Sequence, residues 1–472
     1  MYTRPTDNVE FNQYAYQKGW DAKVGQMPSA KPLFSPRFGF RWYTDDSHNT
    51  LLRGGLGLFT GRVPFVWLSN AFSNTGVEIT GTTINNLNDI PAITGNPQEL
   101  ADLLGKGTAP TPDIVTVSKK FRYPQVFRAN LAWEQYLPYD WKFTLEGLYS
   151  KTFNNAYFQN LALSQNGSVY SVPGVEASAA PYYKVDNKYY SIVNLKNSDK
   201  GYSASLSATI ERNFSFGLDF LASYTLGISK SIYDGTSSVA YSNWKYNYAV
   251  DTNLPRLSYS SFDQPHRLLV TLGYTTPKYA NGWLQTNVAV SYNGYSGQRY
   301  SLTMSENTDF NGDGYRGNSL LYLPTDEELD QMIFTATNNY TVEEQKALFK
   351  DFLQHDRYAK HHRGEYSERN GKLGHWENQV DLHFSESIFA LKERGSKIVL
   401  TADILNFANM LNKKWGSSWG GSYNVSVLKC TGVQQQTNGV WNATYQWNDY
   451  TKPTRANISS RWHAQIGIKL IF

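Results

Sequence analysis

Along much of this chain apolar and polar residues alternate one by one. In Tyr202–Ile210 one face carries Tyr202, Ala204, Leu206, Ala208 and Ile210, and the other Ser203, Ser205, Ser207 and Thr209. Phe216–Ile228 sets Phe216, Leu218, Phe220, Ala222, Tyr224, Leu226 and Ile228 against Ser215, Gly217, Asp219, Ser223, Thr225 and Gly227, with Leu221 the exception. Trp141–Tyr149, Ile398–Ile404 and Trp462–Phe472 repeat the pattern. A period of two marks strands with one apolar and one polar face. A soluble sandwich turns the apolar face inward. A membrane barrel turns it out to lipid and lines a wet lumen with the polar face.

Strand length and connection pattern separate these two. The alternation predicts eleven strands, at 33–44, 50–60, 122–137, 141–152, 200–212, 216–229, 262–276, 283–295, 376–390, 397–410 and 458–472. Most exceed the usual strand of about 5–6 residues and suit the roughly 9–11 residues of a tilted transmembrane strand. Five connections are short: Asp45–Asn49, Pro138–Asp140, Asn213–Ser215, Pro277–Gly282 and Leu391–Ser396. Five are long: 61–121, 153–199, 230–261, 296–375 and 411–457. Short turns alternating with long loops are the pattern of an outer-membrane barrel, and long loops count against a sandwich or propeller. Trp42, Tyr136, Trp141, Tyr274, Trp283, Tyr292, Trp376 and Trp462 fall near strand ends, where interfacial girdles lie. The bland alternative is that they are core aromatics of a soluble β protein. A last strand of alternating aliphatics ending in Phe472 resembles the insertion signal of bacterial outer-membrane barrels.

Composition agrees with an all-β protein. Hydrophobic residues are 40%, charged residues 18% and aromatics 15%, with 34 Tyr, 13 Trp and 36 Gly in 472 residues. Disordered chains lack aromatics, and no apolar run approaches the length of a membrane helix. The net charge of +4, from 44 basic against 40 acidic residues, gives no argument for nucleic acid. Cys430 alone excludes a disulfide framework or a multi-Cys zinc site within these residues.

Several motifs then resemble a known family. They are Ser35–Trp42, Leu52–Gly76, Leu145–Thr152, Asp234–Trp244, Asp309–Gly314 leading to Leu321–Pro324, His362–Tyr366 and Asp403–Asn412. Together they resemble the barrel of Oar-like and SusC-like TonB-dependent receptors of Bacteroidota. The resemblance implies an outer-membrane transporter with about 22 strands closed around a plug. TonB pulls on that plug to drive uptake of a large nutrient, such as a glycan, peptide or metal chelate. On this reading residues 1–472 are the C-terminal portion of the barrel. The signal peptide, plug and first strands are then expected outside this sequence, because an open sheet leaves two unpaired edges in lipid. The expected partners are outer-membrane lipid, TonB through the plug, the nutrient and a surface lipoprotein lid over the loops.

Within the loops, Asp309-Phe-Asn311-Gly-Asp313-Gly-Tyr315 matches the first half of a calcium loop, with Leu320 where an acidic residue normally closes it. A structural calcium on Asp309, Asn311, Asp313 and the Tyr315 carbonyl is one expectation, and an Asx-type turn is the other. Thr341-Val-Glu-Glu344 is a capping box, predicting a helix over 342–355, and Thr325–Glu328 starts a second. His355, His361, His362, His375 and His383 match no zinc spacing. No phosphate loop of the G-x-x-x-x-G-K-[ST] form occurs, and no enzyme is expected. Glu134, Glu146, Asp219, Asp381, Asp403 and Lys469 are expected on the wet face. A passive porin or adhesin-like barrel is the alternative function.

Overall fold

The computed structural model describes residues 22–76, 96, 98–99, 102, 113–186, 191–391, 396–450 and 454–472. Eleven strands form its wall: β1 Arg37–Tyr43, β2 Thr50–Thr60, β3 Gln125–Leu137, β4 Trp141–Asn160, β5 Gly201–Asn213, β6 Leu218–Ser231, β7 His266–Thr275, β8 Leu284–Glu306, β9 Lys372–Leu391, β10 Ser396–Leu405 and β11 His463–Ile471. Each pairs antiparallel with the next, in a single meander. The strands and their order are those the alternation predicts. Among the described residues the outer edges of β1 and β11 have no partner strand.

The register sorts every wall residue onto one of two faces. Leu206 pairs with Gly147 and Leu226. Leu272 pairs with Phe220 and Val290, and Leu400 with Ile468. Leu206, Leu226, Leu272, Val290, Leu400 and Ile468 stand exposed around the outside of the sheet, with Phe38, Leu131, Phe384 and Ile466. A soluble domain would bury such a face, because leaving this much apolar surface in water is unfavourable. The opposite face carries Ser, Thr and Asn with Glu134, Glu146, Asp219, Asp381, Asp403 and Lys469, as expected. Glu386 breaks the rule on the apolar face, where Tyr279 Oη (3.0 Å) and Thr286 Oγ1 (2.6 Å) donate to it.

Short turns close one side of the wall. Asp45 accepts from the amides of Asn49 (2.9 Å) and Thr50 (2.7 Å) and so shapes the first. Gly217 sits at φ +98°, and a Cβ there would lie 2.1 Å from the Thr275 carbonyl oxygen, so this turn requires glycine. The centre of the β9–β10 turn, 392–395, lies outside the described residues.

On the other side the long connections are not loose loops. β4 spans 20 residues and β8 spans 23, well past the 152 and 295 read from sequence. Their ends become strands of a folded crown. The end of β4 pairs with Ser191–Ser198, which pairs with Asp113–Ser118. The end of β8 pairs with Asn424–Gln435, followed by Trp441–Trp447. Leu163–Tyr170 joins that sheet through Trp441–Trp447 and also pairs with Ala179–Val185. Five helices accompany these strands among the described elements: α1 Phe65–Ser73, α2 Ala240–Lys245, α3 Asp326–Gln331, α4 Val342–His355 and α5 Phe407–Leu411. α3 and α4 begin at the predicted capping boxes of Thr325 and Thr341. α1 has no side-chain cap and was not legible from sequence.

The buried apolar side chains lie mainly in the crown. One core holds Leu302, Met304, Phe310, Phe349, Leu353, Val427 and Tyr445. A second holds Trp67, Leu68, Phe158, Val193, Tyr233 and Trp244. The wall proper buries little, because its apolar face points away from the protein. No helix among the described residues is long and apolar enough to cross a membrane.

Candidate functional site

The polar face of the wall carries a charge ladder. Arg53 Nε donates to Glu134 at 2.5 Å, and its other nitrogens reach Glu146 at 3.4 Å. Lys142 bridges Glu134 (3.4 Å) and Glu211 (3.1 Å). His383 Nδ1 lies 2.5 Å from Asp403 Oδ1. These groups pair with each other across strands, and the arrangement is a hydrated, ion-paired surface.

Where wall meets crown lies a cleft of about 580 Å³. Tyr233, Asp234, Tyr246, Phe262, Arg369 and Tyr423 are among its lining residues. Arg369, 5% exposed, donates to the carbonyls of Ser231 (2.7 Å) and Ile232 (3.1 Å) and to Asn247 Oδ1 (2.5 Å). Its Nε is buried without a partner. Asp234 accepts from Ser231 Oγ (2.7 Å), Ser260 Oγ (2.9 Å) and the Ser261 amide (2.9 Å). Burial works to raise the Asp234 carboxyl, but the Arg369 charge and these hydrogen bonds outweigh it and hold it below its ordinary value. Behind the cleft the buried Arg299 Nε pairs with Asp263 at 2.5 Å and the guanidinium lies 3.6 Å over the Tyr259 ring. Tyr246, Phe262 and Tyr423 stay exposed at the rim. Open ring faces beside fixed polar groups can take a planar or ring-shaped ligand by stacking, with the charges setting orientation.

The acidic loop lies deeper in the crown. Asp309 accepts from the amides of Asp313 (3.2 Å) and Gly314 (2.7 Å). Asn311 accepts from the Asp313 amide and donates to Asp313 Oδ2, both at 3.2 Å. The Tyr315 amide donates to Asp313 Oδ1 at 2.8 Å. The four expected residues are therefore together, on an Asx-type turn. Sequence reading missed Glu306, at the end of β8, whose oxygens accept from the amides of Phe310 (3.1 Å) and Ser319 (3.2 Å). Its place three residues before Asp309 was the available signal. Burial pushes the Glu306 carboxyl up to about 7. Burial, then the charge of Asp309, pushes Asp313 up to about 6.

The histidines do other work. His355 and His361 each contact the carbonyl four residues back, and His362 stacks on Tyr358 at 4.0 Å. His375 stacks on Trp419 at 4.1 Å. Among the described residues no three Asp, Glu, His or Cys side chains are already gathered as a metal site.

A family model described as an outer membrane beta barrel domain matches residues 6–424. Among solved structures, the outer membrane transporter YddB from Escherichia coli aligns at 10% identity over 93% of this chain and 40% of that one, with a TM-score of 0.43. A mutant of the ferric enterobactin receptor PfeA from Pseudomonas aeruginosa aligns at 10% identity with the same coverage and a TM-score of 0.37. The chain thus spans about 40% of the length of these two structures. No curated protein matches.

Proposed function

The chain belongs to the outer-membrane β-barrel family, and from that premise we propose that it forms part of the wall and the ligand-capturing crown of a TonB-dependent uptake receptor. As an outer-membrane barrel the chain contacts lipid on its apolar face, and the role proposed for it is non-covalent capture and passage rather than catalysis. The finer reading is an Oar-like or SusC-like receptor of Bacteroidota, in which residues 1–472 are the C-terminal portion of a larger barrel. Among the described residues the two outer edges of the sheet are unpaired, which supports that portion reading, since lipid cannot satisfy their backbone groups. The cargo in this proposal is a large nutrient such as a glycan, peptide or metal chelate, with TonB acting through a plug and a surface lipoprotein covering the crown.

The observation that carries the capture role is the cleft at the wall–crown junction, with Tyr246, Phe262 and Tyr423 open beside Asp234 and Arg369. Uptake by cells expressing the intact receptor tests it. Collapse of the proton-motive force is expected to stop uptake, and Phe262→Ala or Tyr423→Ala to weaken ligand binding roughly 2- to 12-fold each, from about 0.5–1.5 kcal/mol per aromatic contact. Uptake indifferent to the proton-motive force would replace this reading with a passive porin. Surface attachment without uptake would replace it with an adhesin.

A further inference from the structure

We propose that the crown holds one calcium ion between the carboxylates of Glu306, Asp309 and Asp313, with the side-chain oxygen of Asn318 as a neutral donor. Glu306 takes the place of the acidic residue missing at Leu320. It reaches the loop from the N-terminal side, off the end of β8, rather than from the loop's own twelfth position.

Unsatisfied oxygens around the acids point to the ion. Asn318 is fully buried and donates through Nδ2 to Asp313 Oδ2 at 2.9 Å, while its Oδ1 has no partner. The Thr252 hydroxyl, 1% exposed, faces Asp313 and makes no well-formed hydrogen bond. Ser319, 2% exposed, gives its amide to Glu306, and its hydroxyl faces the same carboxylate without a well-formed hydrogen bond. Buried polar atoms are nearly always satisfied, and three such oxygens beside three carboxylates lack a positive group. Arg316 is the cation that acts on Asp309, and it is exposed. Burying carboxylates without a counter-charge is costly.

The donors are all oxygens, which selects a hard cation over zinc. An irregular loop of carboxylate, amide and hydroxyl oxygens suits the flexible coordination of calcium better than the strict octahedron of magnesium. Without an ion the like charges stay apart on backbone amides, so binding requires the side chains to rotate inward. The site ties several crown segments together. The Tyr183 amide donates to the Asn311 carbonyl at 2.7 Å, and the Asn307 amide to the Cys430 carbonyl at 3.0 Å. A bound ion would fasten β8 to strands 179–185 and 424–435. This inference stands apart from the transport reading, because it concerns binding by the chain itself.

The test is titration of the purified full chain in detergent with calcium chloride and, separately, magnesium chloride, with hydrogen exchange over 300–320 and 179–186 in calcium or chelator. One calcium per chain is expected, with a Kd of about 10⁻⁴–10⁻³ M as in extracellular sites, and slowed exchange in both segments. Glu306→Gln and Asp313→Asn are expected to weaken binding on the order of 10- to 100-fold, and the exposed Asp46→Asn to leave it unchanged. The wild-type comparison needs no variant, so a variant that misfolds cannot shield the proposal. No heat and no change in exchange with calcium would overturn it. So would Glu306→Gln binding as tightly as wild type, or magnesium acting equally well.

Discussion

Leu206 and Ser207 are adjacent in the middle of β5 and point to opposite faces of the wall. Leu206 is 49% exposed and touches Gly147 and Leu226 across the ladder. Ser207 lies opposite Glu146 and bonds Thr225 Oγ1 at 2.8 Å. In a bilayer, arginine at Leu206 loses the lipid contact and drags a charge toward the midplane, at a cost of about 2–4 kcal/mol. Arginine at Ser207 loses one hydrogen bond, worth about 1 kcal/mol, and gains water and Glu146. Leu206→Arg should therefore lower the assembled fraction roughly 30- to 900-fold in equilibrium constant, and Ser207→Arg less than about tenfold. The assay is the heat-modifiable, membrane-embedded fraction of the intact barrel. A second readout separates lipid from a protein core, since a soluble β sandwich would also reject a charge at Leu206. A fluorophore on Leu206→Cys should be quenched by brominated acyl chains, and one on Ser207→Cys should not. Equal damage from both arginines, or no quenching at Leu206→Cys, would refute the assignment of faces.

Two other substitutions probe the crown. Phe349 is fully buried and stacks on Phe352 at 6.3 Å, so Phe349→Ala should destabilise the 320–366 region by about 3–5 kcal/mol. Hydrogen exchange should show this as faster opening there, with the wall ladders unchanged. Asp263→Ala strands the buried guanidinium of Arg299 and removes the acceptor of the Ser229 amide, at a cost of about 3–5 kcal/mol. It should loosen 258–263 and 296–301 together, and a variant with unchanged exchange in both would contradict the pairing.

The wall was legible because lipid imposes a strict rule on it. Each strand needs an apolar outer face and tolerates polarity within, so a residue such as Leu272 or Ser223 announces its side by parity alone. The crown obeys no such rule. Its strands, such as Ser191–Ser198 with the buried run Ser191–Leu195, are covered on both faces and show no alternation. α4 was legible because Thr341 and Glu344 cap each other, whereas α1 follows Pro64 with no capping side chain. The acidic loop could be read as a motif, but Glu306 belongs to it only through the fold. The cleft was invisible for the same reason, since Asp234 and Arg369 lie far apart in the chain and meet where β6 and β9 leave the wall.

β8 runs 23 residues without leaving its ladders, roughly 75 Å at strand rise, against a hydrocarbon layer of about 30 Å. More than half of it therefore stands clear of the membrane as a continuous rod. Its register slips between Tyr295 and Gly297 and between Gly297 and Arg299, beside His375, whose carbonyl leaves no room for a Cβ on Gly297. Mechanically β8 is a beam cantilevered from the wall, its register broken around Gly297 and again between Thr303 and Met304 within the crown. A load on the crown would pass down this strand into the wall, across the point at Gly297 where its ladder is interrupted.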